Sequence, residues 1–374
     1  MKIVNETPFA TAALPFPWPD GRTALTIIVK GTFTIRPDER AEPAAEQLPI
    51  LYADAPLDAE NPALGARFEA DVVPFKPRAD IVLVGKAHAP PRKLARALDA
   101  SLRVGKVKKV LRVIGDRHWT CGGRLLPAAF AAPVPFKSLD LVYARAFGGI
   151  DQKGGGYCRY NPIGRGYMTK KSKSAVDGTP LPNVEDPRHL IKAWSSRPRP
   201  AGFGFWGRGW LPRLRYLGTY DEQWRKKRAP APPEDFRFES YNGAHPDLQV
   251  KGYLRGDEDV ELVHLTPQPR LRFLLPGVTP VCAVLRHGAA VDPALARADD
   301  EKVDEPPPPA MEPGEEQVID EPTPGSTAGE RVALNLDTLV FVPEEMRFYL
   351  VWRGVFPLAN PSAREVASIG VWQA

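Results

Sequence analysis

Proline is the feature that most restricts how this chain can fold. The sequence has 42 prolines and 31 glycines among its 374 residues. A proline inside a helix removes a backbone hydrogen bond, and its ring clashes with the preceding turn. Helices can therefore form only in short stretches, and the 43% of hydrophobic residues must be buried in strands and packed loops. The composition predicts a mainly β protein that is long enough to bury a substantial core.

Strand patterns recur along the chain. Residues 24–35 and 80–88 are rich in β-branched residues, and residues 101–119 alternate apolar with basic residues. Such alternation is typical of a strand with one buried face. Because no long helical patterns separate these strands, we predict antiparallel sheets in a sandwich-like body with few short helices. The helix candidates are residues 91–100 and 221–227.

Composition divides the chain into five regions. We predict an N-terminal β region (1–147), an insertion rich in Gly, Pro, Trp and Arg (148–235), and a second β region (236–297). An acidic, proline-rich linker (298–330) then leads to a C-terminal β-hairpin (331–374) that returns to the main body. The linker has too little apolar surface to offset the entropy of ordering, so we expect it to be extended or mobile.

Charge is unevenly distributed along the chain. The formal net charge is +5, but residues 299–330 hold eleven acidic residues against one lysine, a net of −10. The rest of the chain therefore carries +15. A basic body of this kind favours either an anionic partner or contact with its own acidic segment.

Cysteine content and hydropathy favour a cytoplasmic protein. Three cysteines without a CxxC pair cannot build a disulfide framework, which is typical of a reducing compartment. The first six residues include an acid where a signal peptide needs apolar residues, and no run of 18 apolar residues occurs. We therefore expect a soluble protein without membrane contact.

Catalytic motifs are not evident in the sequence. Its Gly-Lys pairs lack the Ser or Thr that follows in a phosphate-binding loop, and its six histidines lack the short spacings of a zinc site. Ligands gathered from distant loops remain an open alternative. Asp257 and Glu258 could act as the carboxylate pair of a hydrolase, but a charged turn at a sheet edge is the more frequent origin of such residues. We predict no enzymatic activity, cofactor or metal.

The insertion contains the most distinctive cluster of side chains. Residues 188–228 hold eleven basic residues and four of the eight tryptophans. Trp and Arg dominate the hot spots of protein interfaces, and they also form the stacking grooves that bind single-stranded nucleic acid. Alternatively, the aromatic rings only pin the loop to the β body, with arginines stacked over them.

We predict that this segment binds a partner. We expect some of Trp194, Phe205, Trp206, Arg208 and Trp210 to lie exposed together, because a monomer seldom leaves a large apolar patch uncovered without a partner. The predicted partner-binding residues are Trp194, Phe203, Phe205, Trp206, Arg208, Trp210 and Arg213.

A series of short motifs occurs in a fixed order. The motifs are RAFGG at 145–149, YNPIGRG at 160–166, LPNVE at 181–185, PAGFG at 200–204, GTYDEQW at 218–224, PEDF at 233–236, RGDE at 255–258 and LDT at 336–338. The motif residues that we expect to shape the fold are Arg145, Phe147, Gly148, Gly149, Asn161, Pro162, Gly164, Asn183, Gly218, Asp221, Trp224, Asp257, Glu258 and Asp337.

Together these motifs resemble a family of uncharacterised proteins encoded beside effectors of the bacterial type VI secretion system. Some members are described as adaptors or chaperones that stabilise an effector and help load it onto the spike. The resemblance covers residues 1–290 and 331–355 and includes no agreed active site, and residues 241–247 depart from the family pattern.

The resemblance implies a cytoplasmic, non-enzymatic protein that binds a secreted effector and possibly the spike-tip protein. Two alternatives from other classes stay open. One is a hydrolase that acts on a polysaccharide or another polar polymer through Asp257, Glu258 and the tryptophans. The other is a single-stranded nucleic-acid binder, although nucleic acid is the less expected partner.

Overall fold

The computed structural model describes residues 2–121, 128–278, 281–286, 331–358 and 368–373. The predicted acidic linker at 298–330 lies outside the described residues. Strands account for 38% of the structure and helical turns for 10%, so the prediction of a mainly β fold is confirmed. Within the described part, no helix is long and apolar enough to cross a membrane.

Most strands are short, and most of them pair antiparallel. In the first half of the chain they are β1 (Lys2–Asn5), β2 (Ala10–Pro17), β3 (Thr23–Thr34), β4 (Glu42–Pro43), β5 (Ala55–Pro56), β6 (Ala66–Phe68), β7 (Arg78–Leu83), β8 (Lys86–His88), β9 (Ala97–Val104), β10 (Val107–Ile114), β11 (Trp119–Cys121), β12 (Ala128–Phe130), β13 (Ser138–Asp140), β14 (Phe147–Gly148), β15 (Arg165–Gly166) and β16 (Val184–Glu185). In the second half they are β17 (Gln249–Lys251), β18 (Asp259–Val263), β19 (Arg270–Leu274), β20 (Val281–Arg286), β21 (Arg331–Ala333), β22 (Asn335–Val342), β23 (Arg347–Leu358) and β24 (Ser368–Gln373).

In the residues that the structure describes, helical structure is limited to short turns. The α-helix α1 spans Glu222–Lys227, where the sequence predicts a helix. The 3₁₀ turns are Pro62–Leu64, Tyr143–Arg145, Lys170–Ala175, Arg213–Tyr216, Phe238–Tyr241, Pro246–Leu248 and Pro343–Glu345.

The largest sheet joins the two ends of the sequence. Its seven strands run in the order β17-β7-β22-β23-β3-β2, with β4 added beside β3. The hairpin β22–β23 lies at the centre, because β23 pairs with β3 over twelve residues and β22 pairs with β7 in parallel. β3 is buried over ten of its twelve residues, so both faces of the sheet are covered.

The second large sheet covers one face of the first. Its five strands are antiparallel in the order β16-β10-β9-β18-β19. The ring of Phe273 on β19 lies 6.0 Å from the ring of Phe341 and 5.7 Å from that of Phe348, both in the seven-stranded sheet. Apolar side chains of both sheets belong to one continuous core, as in a sandwich.

Smaller sheets flank this body. The strands β1, β24, β20 and β21 form a four-stranded sheet in that order. Two-stranded sheets join β5 with β6, β8 with β13, β11 with β12, and β14 with β15.

The other face of the seven-stranded sheet carries buried ion pairs. Residues from the loop before β7 and from the sheet itself form them, and segments 44–77 and 200–245 contact this face. A buried charge is tolerated only when it is paired, so the pairs that Asp71 and Lys76 form with the sheet fix the segment before β7 in place. The pairs are Lys30 with Asp71 at 2.8 Å, Lys76 with Asp80 at 2.8 Å, and Arg353 with Asp337.

The prediction of a helix over residues 91–100 is wrong. Lys93 donates its backbone N–H to the carbonyl of Pro90 in a turn, and Arg92 has a φ of +61°. The strand β9 then begins at Ala97 and pairs with β10 across the two-residue turn formed by Gly105 and Lys106. A short isolated helix is only marginally stable, whereas β9 is stabilised by pairing with β10 over eight residues.

Candidate partner-binding cleft

The insertion begins at a tightly packed turn. The side-chain amide of Asn161 donates hydrogen bonds to the carbonyls of Tyr143 (2.8 Å) and Phe147 (3.0 Å). Gly148 has a φ of +152°, and a Cβ at this position would lie 2.1 Å from the carbonyl oxygen of Asn161. Only glycine fits here. The turn, which also contains Gly149, Pro162 and Gly164, therefore fixes the position of Tyr143.

A second motif ties the insertion to the five-stranded sheet. Arg145 Nη1 donates to the side-chain oxygen of Asn183 at 3.2 Å, and the backbone N–H of Asn183 donates to the carbonyl of Arg145 at 2.8 Å. The side-chain amide of Asn183 reaches the carbonyl of Ile114 on β10 at 2.9 Å. These buried bonds hold the 3₁₀ turn that contains Tyr143 against the sheet.

A small second core lies under the first half of the insertion. Phe147, Trp119 and Cys158 are buried there with neighbouring apolar side chains. Trp194 packs against the edge of this core and is partly buried. Burial raises the pKa of the Cys158 thiol, which keeps it protonated at neutral pH.

The aromatic cluster of the insertion consists of Tyr143, Phe205, Trp206, Trp210 and His245. The Trp206 ring lies at its centre, 5.3 Å from Tyr143, 6.4 Å from Trp210 and 5.2 Å from His245. Its indole N–H donates to the carbonyl of Leu211 at 2.9 Å. Only 2% of Trp206 is exposed, so this residue belongs to the core.

Two arginines connect the aromatic cluster to carboxylates of the segment before β7. Arg213 is buried and pairs with Glu69 at 2.5 Å, and its Nε donates to the carbonyl of Ser240. Arg208 is partly exposed and pairs with Asp54 at 2.9 Å. Burial alone would lower the pKa of Arg208, but the carboxylates of Glu69 and Asp54 outweigh it and raise that pKa.

The prediction that the tryptophans, Phe205 and Arg208 lie exposed together is wrong. Phe203, Phe205, Trp206, Trp210 and Arg213 are buried, whereas Trp194 and Arg208 are partly buried. The physical reason is that the insertion folds back onto the main sheet. Leu83 of β7 donates its backbone N–H to the carbonyl of Phe203 at 2.9 Å, and the backbone N–H of Trp206 donates to the carbonyl of Gly243 at 2.8 Å. The rings then fill the space over the sheet.

An open cleft of about 720 Å³ remains beside the aromatic cluster. Tyr143, Ile163, Phe205 and Trp210 contribute apolar surface to it, and residues 57–67 form the opposite wall. A second cavity of about 480 Å³ adjoins it, sharing Phe205 and Trp210, and reaches the Arg208 pair. Three of the predicted partner-binding residues, Phe205, Arg208 and Trp210, thus line these cavities.

The rim of the cleft carries charges of both signs. The Nζ atom of Lys86 lies 3.3 Å from a carboxylate oxygen of Asp140, and both side chains are about half exposed. Arg67 and Asp58 line the wall opposite. Exposed pairs of this kind stabilise the fold little and remain available to a partner. No sequence pattern indicates this wall, since neither Tyr143 nor residues 57–67 belong to a distinctive motif.

Other motif residues stabilise loops away from the cleft. The Asp221 carboxylate accepts the backbone N–H of Trp224 at 2.8 Å and caps α1. The indole N–H of Trp224 donates to the carbonyl of Ala231 at 2.8 Å. Gly218 has a φ of +77° beside Asp235. Asp337, as described above, pairs with Arg353 in the main sheet.

The carboxylates considered for a hydrolase lie in a local turn. Glu258 accepts the backbone N–H groups of Arg255 at 2.8 Å and of Gly256 at 2.9 Å, one on each oxygen. Asp257 pairs with Arg255 at 3.1 Å. Neither carboxylate lines the cleft. In the part of the chain that the structure covers, no three His, Cys, Asp or Glu side chains are grouped so that they could hold a metal ion.

The fold and the cleft define a mainly β protein whose long insertion packs onto a sandwich-like body. Residues 20–353 match the family described as uncharacterized protein conserved in bacteria (DUF2169), and the chain belongs to this family. The ordered motifs between residues 145 and 338 all lie within the matched region. Comparison with curated proteins and with solved structures gave no match.

Proposed function

We propose that the protein is a non-enzymatic adaptor or chaperone that binds a type VI secretion effector, or its spike-tip domain, and helps load it onto the spike. The link to type VI secretion rests on the resemblance of the motifs at 145–149, 160–166 and 218–224. The observation that supports binding of a protein is the cleft, which combines an aromatic floor with a rim of both charges.

The composition of the cleft suits a polypeptide segment. Protein interfaces typically have an apolar centre with buried aromatic residues and a polar rim. Phe205 and Trp210 supply the aromatic floor, and Lys86, Asp140 and Arg67 supply the rim. Since both rings are held in the core, they would bind a partner without losing side-chain entropy. Arg208, in the adjoining cavity, extends this surface.

The test is capture of the effector encoded beside the protein. Ala59 is an exposed residue that lines the cleft, so Ala59→Arg places a long charged side chain at the entrance without disturbing the core. We expect this variant to bind the purified effector at least about tenfold more weakly than the unaltered protein, because the cleft is blocked.

Ala45→Arg is the matched control. Ala45 is also exposed and does not line the cleft. We expect it to bind the effector with unchanged affinity, and both variants to melt at the temperature of the unaltered protein. Equal binding by the two variants, or no binding by the unaltered protein, would contradict the proposal.

A further inference from the structure

A further pocket of about 550 Å³ lies between the insertion and the turn at residues 245–247. Its walls are formed by proline and aromatic side chains, including Tyr160, Pro200 and Trp206. Trp206 also contacts Trp210 on the floor of the cleft, so the two sites share one rigid cluster. We call this second site the arginine pocket, because Arg188, Arg199 and Arg215 line it.

Two arginines of this pocket have no carboxylate partner among the described residues. The guanidinium of Arg199 lies 3.5 Å above the ring of Tyr160. Arg215 is exposed on the 3₁₀ turn Arg213–Tyr216. Partial burial of the otherwise exposed side chain, followed by repulsion from Arg215, lowers the pKa of Arg199. The two positive charges are therefore close enough to repel each other and are not neutralised from within the pocket.

The two aspartates of the arginine pocket are engaged by other cations. Asp186 pairs with Arg188 at 2.7 Å. Asp247 pairs with the buried ammonium of Lys109 at 2.7 Å and with Arg188 at 3.2 Å. Although burial alone would raise it, hydrogen bonds from Arg188 lower the pKa of Asp186 to about 2. Both carboxylates are thus ionised and already paired.

His245 closes the pocket as a neutral wall. Its Nδ1 accepts the N–H of Asp247 at 3.1 Å, which leaves the proton on Nε2, and Nε2 donates to the carbonyl of Pro200 at 3.2 Å. Burial and then the positive charge of Lys109 lower the pKa of His245 to about 3. The imidazole is therefore uncharged at neutral pH and adds no cation to the pocket.

We propose that the arginine pocket binds a carboxylate carried on an apolar body, with Arg199 and Arg215 as its ligands. Guanidinium groups bind carboxylates with paired, charge-assisted hydrogen bonds. The proline and aromatic walls provide surface for the apolar part of the ligand. In a partner protein, this ligand is a glutamate or aspartate within an apolar segment.

The apolar walls of the pocket favour a carboxylate over a phosphate. Asp186 and Asp247 are paired with Arg188 and Lys109, so Arg199 and Arg215 leave two positive charges that are not neutralised. A carboxylate carries one negative charge, whereas a phosphate monoester carries nearly two at neutral pH. Removing the singly charged carboxylate from water into a site walled by proline and aromatic side chains costs less than removing the phosphate.

The experiment uses benzoate, benzamide and phenyl phosphate as probes of the full chain, with dissociation constants from NMR titration. We expect benzoate to bind at least about tenfold more tightly than the neutral benzamide. Arg199→Gln and Arg215→Gln should each weaken benzoate binding about tenfold and leave benzamide binding unchanged. Arg225→Gln, an exposed arginine on α1, is the control and should change neither.

Three results would overturn the assignment. They are equal binding of benzoate and benzamide, an equal loss of benzoate binding in the Arg225→Gln control, and binding of phenyl phosphate that is tighter than that of benzoate. Both pocket arginines are exposed, so their variants should melt normally, which the same samples can verify.

The assignment of the carboxylate to a partner protein rests on the proposed function, whereas benzoate binding does not. A protein that binds benzoate but captures no effector would keep the pocket and contradict the adaptor function. A protein that captures the effector but binds no benzoate would do the reverse. The two proposals can therefore fail separately.

Discussion

Arg213 of the insertion and Glu69 of the segment before β7 form an ion pair in which both side chains are buried. Their exposed fractions are 2% and 7%, and the closest N–O distance is 2.5 Å. The guanidinium of Arg213 also donates hydrogen bonds to the carbonyls of Ser240 and Trp206. One side chain thus connects the aromatic cluster, the segment before β7 and the loop after the insertion.

Removing Arg213 should destabilise the protein strongly. Arg213→Met leaves the Glu69 carboxylate buried without its principal partner, so we expect the free energy of unfolding to fall by about 3 kcal/mol. Urea unfolding at neutral pH measures the change. In the double variant Arg213→Met with Glu69→Gln the uncompensated charge is gone, and we expect part of the loss to be recovered. A single variant that loses less than about 1 kcal/mol would show that the pair is not a main tie of the insertion.

The turn at the start of the insertion should not tolerate a side chain. Gly148 and Gly155 both have positive φ, at +152° and +74°, but a Cβ at Gly155 would meet nothing within 4 Å. Gly155→Ala should therefore cost about 1 kcal/mol from backbone strain alone. Gly148→Ala adds the overlap with Asn161 and should cost about 3 kcal/mol or more. Equal losses in urea unfolding would contradict the packing described for this turn.

His245 should make the protein less stable in acid. Its pKa of about 3 in the folded protein lies below the ordinary value of 6.5, so the unfolded chain binds a proton that the folded protein does not. The stabilisation is complete above pH 6.5 and is lost as the pH falls toward 3. At pH 5 the contribution should be smaller than at pH 7 by about 2 kcal/mol.

The variant His245→Asn isolates this effect. Its side-chain oxygen can still accept the N–H of Asp247, but it does not titrate. The difference in unfolding free energy between the unaltered protein and the variant should shrink between pH 7 and pH 5. A difference that is constant with pH would show that His245 titrates normally in the folded protein.

The sheet fold could be predicted from local sequence patterns. The proline content limits helices, and the apolar runs that became β3, β22 and β23 are strands in the structure. The cap formed by Asp221 could also be predicted, since it depends only on residues within one turn of α1. These features need no information from distant parts of the chain.

The location of the cleft could not be predicted in the same way. The sequence shows that Trp206 and Arg213 are unusual, but it does not show that Tyr143, His245 and Glu69 meet them. These contacts span between about 40 and 140 positions along the chain and exist only after the sheets form. Composition alone therefore made core residues resemble an exposed interface.

The measurement that tests the adaptor function most directly is hydrogen exchange of the protein with and without its bound effector. Backbone amides that the partner covers should exchange more slowly in the complex. We expect protection in the segments that line the cleft, residues 57–67 and 140–145, and no change in the turn at 91–96, which does not line it. Slower exchange confined to regions outside the cleft, or no change in residues 57–67, would contradict the account.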